Sequence, residues 1–191
     1  MADKLLLKEF FKNFNQIATI APDSFSCIKE LTKKIDFKKA EVIVEWGIGS
    51  GGVTKHIIDN KRDETIFISI EINKNIFERA KILEKRKPNV FIINGDMFDT
   101  KKILEKHDID KADYLVSTLP FSIIGFNLID VAKDVLSEKG TFIQYLHSLS
   151  YLKFFFPEKE LKKRFGLVEK SLVMLNLPPA VVYCCSTIIE S

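Results

Sequence analysis

A chain of 191 residues, 46% hydrophobic and 29% charged with few glycines and prolines, is long enough for one domain with a substantial core, and its composition excludes a disordered or fibrous protein. Three cysteines, Cys27, Cys184 and Cys185, make an odd set with two adjacent, which excludes a disulfide framework; with no Cys-x-x-Cys or His cluster, no metal site is expected. The net charge of +3 arises within the first 39 residues, which hold eight lysines and five acids, whereas the rest of the chain balances at 21 of each sign.

Residues 1–39 read as a helical region of their own, ahead of the main domain at 40–191. From Asp3 onward, Leu6, Leu7, Phe10, Phe11, Phe14 and Ile17 fall on one helical face, with Lys4, Lys8 and Lys12 in an adjacent stripe. Two uses of that face stay open. It packs on the domain, or it enters a membrane interface while the lysines meet anionic headgroups. Lys8 and Glu9 interrupt the leucine run, so no signal peptide is expected, and no run of about 18 apolar residues offers a membrane span. Ala21-Pro22-Asp23-Ser24 marks a turn and the start of a second helix reaching about Lys34.

From residue 41 short β-rich runs alternate with helical ones. Strands are predicted at Glu41–Trp46, Thr65–Ile70, Asn89–Ile93, Ala112–Ser117 and Gly140–His147, followed by Leu167–Leu175 and Val181–Ile188. Helices are predicted near 52–60, 73–86, 99–106, 123–137 and 157–165. Continuous apolar runs such as Val42-Ile43-Val44 and Ile66-Phe67-Ile68 suit a parallel sheet covered on both faces. The expected fold is therefore α/β: a doubly wound, seven-stranded, mostly parallel sheet with an antiparallel last strand, plus N-terminal helices.

The first strand runs straight into Gly47-Ile48-Gly49-Ser50-Gly51-Gly52. Glycines here permit a tight turn and a close approach of backbone to ligand. Glu45 precedes the loop, and Glu71 ends the next strand, where an acid can accept both hydroxyls of an adenosine ribose. A pyrophosphate beside Glu45 would be repelled, whereas the ammonium and sulfonium of S-adenosylmethionine suit an acidic strand end. Asn94-Gly95-Asp96-Met97 follows the third strand and Ser117-Thr118-Leu119-Pro120-Phe121 the fourth. Tyr145 and His147 end the fifth; they are candidates for handling the proton of an amine, or else a core residue and a surface loop residue. Tyr151 and Phe154-Phe155-Phe156 offer cation–π contacts to a methylated ammonium, or a core aromatic cluster.

The pattern acid-x-Gly-x-Gly-x-Gly resembles the first motif of class I, Rossmann-like methyltransferases, and Asp96-Met97 resembles their adenine-binding motif. Asn176-Leu177-Pro178-Pro179-Ala180, together with Ala21-Pro22-Asp23-Ser24 and Ser117-Thr118-Leu119-Pro120, resembles the bacterial phospholipid N-methyltransferases over about residues 10–188. That resemblance implies S-adenosylmethionine as cofactor and the amine of a phospholipid such as phosphatidylethanolamine as acceptor. It also implies a cytoplasmic protein reaching the inner, anionic membrane surface through its N-terminal helix. Cofactor contacts would come from Glu45, Gly47, Gly49, Gly51, Glu71, Ile72, Asp96, Met97 and Ser117. Thr118 and Pro120, with Tyr145 or His147, would serve the reaction, and Leu119, Phe121 and Tyr151 the substrate. Thr118 stands where adenine-methylating relatives carry Asn. With the balanced charge after residue 39, this argues against nucleic acid as a partner. RNA adenine and small amines remain alternative acceptors.

Overall fold

The computed structural model describes residues 24–120, 124–147, 157–174 and 179–187. Seven strands form one sheet in the order β3-β2-β1-β4-β5-β7-β6. They are β1 (Val42–Trp46), β2 (Ile66–Glu71), β3 (Val90–Asn94), β4 (Ala112–Ser117), β5 (Leu136–His147), β6 (Leu167–Val173) and β7 (Ala180–Ser186). Strands β1 to β5 pair in parallel, and β7 runs antiparallel to both β5 and β6. The apolar runs of β1 and β2 are buried over all but their first residue, because helices cover both faces.

Among the described residues six helices do the covering: α1 (Phe25–Thr32), α2 (Gly52–Asn60), α3 (Lys74–Ala80), α4 (Thr100–Glu105), α5 (Asn127–Val135) and α6 (Glu158–Arg164). Helices α4 to α6 bury Leu104, Leu128, Ile129, Ala132 and Leu161 against one face. Helices α1 to α3 bury Cys27, Leu31, Val53, Ile57 and Ala80 against the other. Residues 24–39 therefore share the core of the domain that the sequence set apart from them: Cys27, Leu31 and Ile35 pack with Ile43 and Phe67. Ser24 caps α1, its hydroxyl accepting from the Cys27 amide at 3.2 Å. The amphipathic stretch at 3–17 lies outside the described residues, as do Pro22 and Asn176-Leu177-Pro178.

Strand order reverses between β1 and β4. In open α/β sheets a ligand crevice forms at that point, beyond the carboxyl ends of the strands. The two loops flanking it are 47–51, which follows β1, and 118–120, which follows β4.

Candidate active site

Three glycines shape the first loop: Gly47, Gly49 and Gly51 have φ of 83°, 54° and 82°. Only glycine adopts such values freely. Gly47 has a second reason to be glycine, because a Cβ there would lie 2.9 Å from Leu119 Cδ2 and 3.1 Å from Thr118 Oγ1. The two loops are thus in direct contact. Thr118 adds to the contact, its hydroxyl donating to the Gly47 carbonyl at 3.0 Å and its amide to the Trp46 carbonyl at 3.2 Å.

A cleft opens beside these loops, lined by Gly47, Ile70, Glu71, Ile72, Gly95, Asp96, Met97, Phe98, Leu119 and Ile124. Among the described residues its titratable side chains are Glu71 and Asp96, both acidic, and no basic side chain lines it. Phosphate groups would be repelled there. Ribose hydroxyls, an adenine amino group and positive charge are what this lining accepts. Glu71 is almost wholly buried; Oε2 accepts from the Ile48 amide at 2.9 Å and Oε1 from the Asn73 amide at 2.8 Å. Burial pushes the Glu71 carboxyl above its ordinary value, against the opposing pull of the Asn73, Ile48, Gly49 and Ile72 amides. Asp96 caps a short 3-10 turn (Met97–Asp99) by accepting from the Phe98 amide at 3.1 Å. Its neighbours Ile72, Met97 and Phe98 give the cleft apolar surface on which a flat base can rest.

Glu45 is elsewhere. Side chains alternate along β1, and the alternation sends Val44 and Trp46 to one face and Ile43 to the other. Glu45 shares the face of Ile43, beneath α2, where Oε2 accepts from Thr54 Oγ1 at 2.8 Å and Ser69 Oγ at 2.5 Å. It is fully buried and absent from the cleft lining. The carboxylate fixes the first turn of α2 to β2 and so supports the loop from below. Gly49 and Gly51 shape that loop without lining the cleft.

At the end of β4, Ser117 is buried and its hydroxyl accepts from the Leu119 amide at 3.3 Å. Pro120 follows, its carbonyl accepting from the Ile124 amide at 3.3 Å. Tyr145 is a core residue, buried with Leu31 and Val182 on the α1–α3 face. The side chain of His147, and Phe121 and Tyr151 altogether, lie outside the described residues.

Two polar residues enter that the motifs did not single out. Thr100 takes the Trp46 indole N–H at 2.8 Å and donates to the Met97 carbonyl at 2.5 Å, which ties the Met97–Asp99 turn to β1. Gln144, fully buried, donates from Nε2 to the Leu119 carbonyl at 2.8 Å. A lone glutamine inside the apolar run Phe142-Ile143-Gln144-Tyr145-Leu146 was the signal that could have found it.

No protein-family model matches the chain. The ornithine lipid N-methyltransferase of Singulisphaera acidiphila is 32% identical over 195 residues, covering 98% of this chain and 97% of that protein. The chain belongs to the family of that methyltransferase. It is an S-adenosylmethionine-dependent enzyme, and the cleft has the lining such a cofactor requires. The ribosomal RNA small subunit methyltransferase A of Persephonella marina is 29% identical over 121 residues, 63% of this methyltransferase but only 43% of that protein. Among solved structures, the N-methyltransferase NodS from Bradyrhizobium japonicum in complex with S-adenosylhomocysteine superposes with a TM-score of 0.65 at 12% identity, over 85% of this chain and 88% of that one. A methyltransferase from Geobacter sulfurreducens gives 0.63 at 11% identity, over 94% and 87%. These likenesses establish the Rossmann-like methyltransferase fold of the sheet.

Proposed function

We propose that this enzyme methylates the amine of a membrane-lipid headgroup, an ornithine lipid or phosphatidylethanolamine, at the membrane surface. The observation that carries this reading is the likeness to the ornithine lipid enzyme over nearly the whole of both chains. A cofactor domain alone does not account for such coverage. Both lipids offer the same chemistry, a primary amine on a short polar arm above acyl chains. Among the described residues no helix is long and apolar enough to cross a membrane and no cluster suited to a metal ion forms. The amphipathic stretch 3–17, with Lys4, Lys8 and Lys12, is the proposed attachment to anionic lipid.

The cofactor supplies an activated sulfonium methyl group. Glu71 would hold the ribose hydroxyls, Asp96 the adenine amino group, and Ile72 and Met97 the faces of the base. The loop Ser117-Thr118-Leu119-Pro120 stands at the mouth between β1 and β4, where the Leu119 carbonyl can accept from the amine. The protein's main contribution is alignment. An amine of pKa ~10.4 that loses its hydration on entering the cleft releases its proton more readily, so no strong base is required.

The test uses purified enzyme, labelled S-adenosylmethionine and mixed vesicles of anionic lipid doped with either ornithine lipid or phosphatidylethanolamine. Methylated product from at least one lipid is expected, absent with Asp96→Ala. No product from either lipid, with the cofactor shown to bind, overturns the reading. Vesicle sedimentation in rising salt checks the attachment, which should weaken as salt screens the lysines.

A further inference from the structure

We propose that Gln144 is a positioning residue for methyl transfer, acting by fixing the main-chain carbonyl of Leu119 against the acceptor amine. The inference rests on the amine-methyltransferase reading and adds a residue to it.

Register brings the residue to its place. Trp46 on β1 lies beside Ser117 on β4, and Ser117 lies beside Gln144 on β5. The three form a row at the carboxyl ends of adjacent central strands. Each bonds to a segment beside the cleft. Trp46 reaches Thr100 behind the base-side turn, Ser117 takes the Leu119 amide, and Gln144 takes the Leu119 carbonyl. Leu119 is thus held at both its amide and its carbonyl by two neighbouring buried side chains. Its side chain meanwhile lines the cleft and abuts Gly47.

The orientation of the Gln144 amide is fixed by chemistry. One end faces two carbonyl oxygens, of Leu119 at 2.8 Å and Tyr145 at 2.6 Å, and only the NH₂ can donate to them. The other end, Oε1, is buried and accepts no hydrogen bond from any described residue. An apolar side chain would fill this space without an orphaned acceptor. What only the glutamine supplies is the donor that aims the Leu119 carbonyl. A carbonyl oxygen has two lone pairs; one is taken by Gln144 and the other is left for an N–H of the substrate. Gln144 is also neutral. A carboxylate at this position would stabilise an ammonium and keep its lone pair protonated, which methyl transfer cannot use.

The experiment compares parent, Gln144→Met and Gln144→Glu on the preferred amino-lipid, with S-adenosylhomocysteine binding and thermal unfolding measured alongside. For Gln144→Met we expect kcat to fall by about 100-fold, the scale of a misplaced reacting group. The KM for lipid should change little, and S-adenosylhomocysteine affinity should stay within about threefold. For Gln144→Glu the carboxyl faces the same two carbonyls in the core, is held protonated there and keeps one donor, so kcat should lie between the methionine variant and the parent. A purely structural role predicts instead that turnover, S-adenosylhomocysteine affinity and melting temperature fall together in both variants; that outcome overturns the proposal, as does parental turnover in both variants. If the methionine variant does not fold, the split between kcat and KM in the glutamate variant decides. Absence of turnover on any amino-lipid in the parent removes the functional reading itself, a result separate from an unaltered variant.

Discussion

Gly47 and Leu119 meet so closely that a methyl group on Gly47 would sit 2.9 Å from Leu119 Cδ2. The contact joins the loop after β1 to the loop after β4 across the switch point. Gly47→Ala meets two obstacles, the clash and a φ of 83°. Overpacking costs about 1–3 kcal/mol and the left-handed backbone roughly 1–2 kcal/mol more. Urea denaturation should show that combined loss, and isothermal calorimetry a weakened cofactor. Adding Leu119→Ala should recover part of the stability by removing the clash but not the strain. Gly51→Ala, with a φ of 82° and nothing within 4 Å of its Cβ, should show the strain alone.

Glu71 gives the site a pH dependence with two opposed parts. Burial holds its carboxyl above the ordinary value. A raised folded-state pKa means that the folded chain takes up the proton more readily than the unfolded chain. The group's contribution to stability is therefore full below the unfolded pKa and is lost as pH rises through the folded one. With Glu71 in the proposed role, cofactor binding should run the other way, since only the carboxylate could accept from the ribose while still holding the Ile48 and Asn73 amides. Calorimetric affinity should fall as pH drops from neutral, starting above the range of an ordinary glutamate. Glu71→Gln should flatten that fall and weaken binding by about 10–100-fold, the equivalent of roughly one charged hydrogen bond. An affinity that keeps the parental pH dependence in Glu71→Gln would assign the titration to another group.

Lys61 offers a contrast between stability and function. It is 1% exposed, and its ammonium donates to the carbonyls of Arg62, Thr65 and Pro88 at 3.0, 2.9 and 2.8 Å. These carbonyls belong to the turns leading into β2 and β3, at the sheet edge opposite the cleft. Lys61→Met keeps the stem but strands the three acceptors, and should cost about 2–4 kcal/mol. Denaturation should register the loss while S-adenosylhomocysteine affinity of the folded fraction stays at the parental value.

The layered sheet was readable because its strands are apolar on both faces: Ala112–Ser117 was placed to the residue, and β1, β2 and β3 to within one residue at each end. Helix ends were less so. The helix expected at 123–137 is described as Asn127–Val135, beginning after Gly125, whose φ of 71° breaks the run. The run expected at 73–86 is helical to Ala80 and then winds as a 3-10 turn that stops at Lys87, extended because Pro88 follows. In the site, Glu71 and Asp96 were legible as acids at strand ends, and both line the cleft. Glu45 was equally visible, but which face of β1 it uses depends on register. Thr100 and Gln144 were missed because their partners, Trp46 and Leu119, are 54 and 25 residues away and only sheet register brings them together.

Trp46 is the only tryptophan of the chain, fully buried directly before the glycine loop. Its N–H ends on Thr100, and the Thr100 hydroxyl ends on the Met97 carbonyl, so the turn carrying Asp96 and Met97 is hung from β1 through two hydrogen bonds. Thr100→Val has nearly the same shape and removes both bonds, leaving the indole N–H and one carbonyl unpaired inside the core. A loss of about 1–3 kcal/mol is expected from the unsatisfied groups. Cofactor affinity should fall with it, because the turn that carries Asp96 is no longer fixed. Thr100→Ser retains the hydroxyl and should keep most of the affinity. The indole reports directly: S-adenosylhomocysteine titrated into the parent should change Trp46 fluorescence, with the same dissociation constant by fluorescence and calorimetry. Parental cofactor affinity in Thr100→Val, despite a loss of stability, would confine the hydrogen-bond chain to packing and free the base-side turn from it.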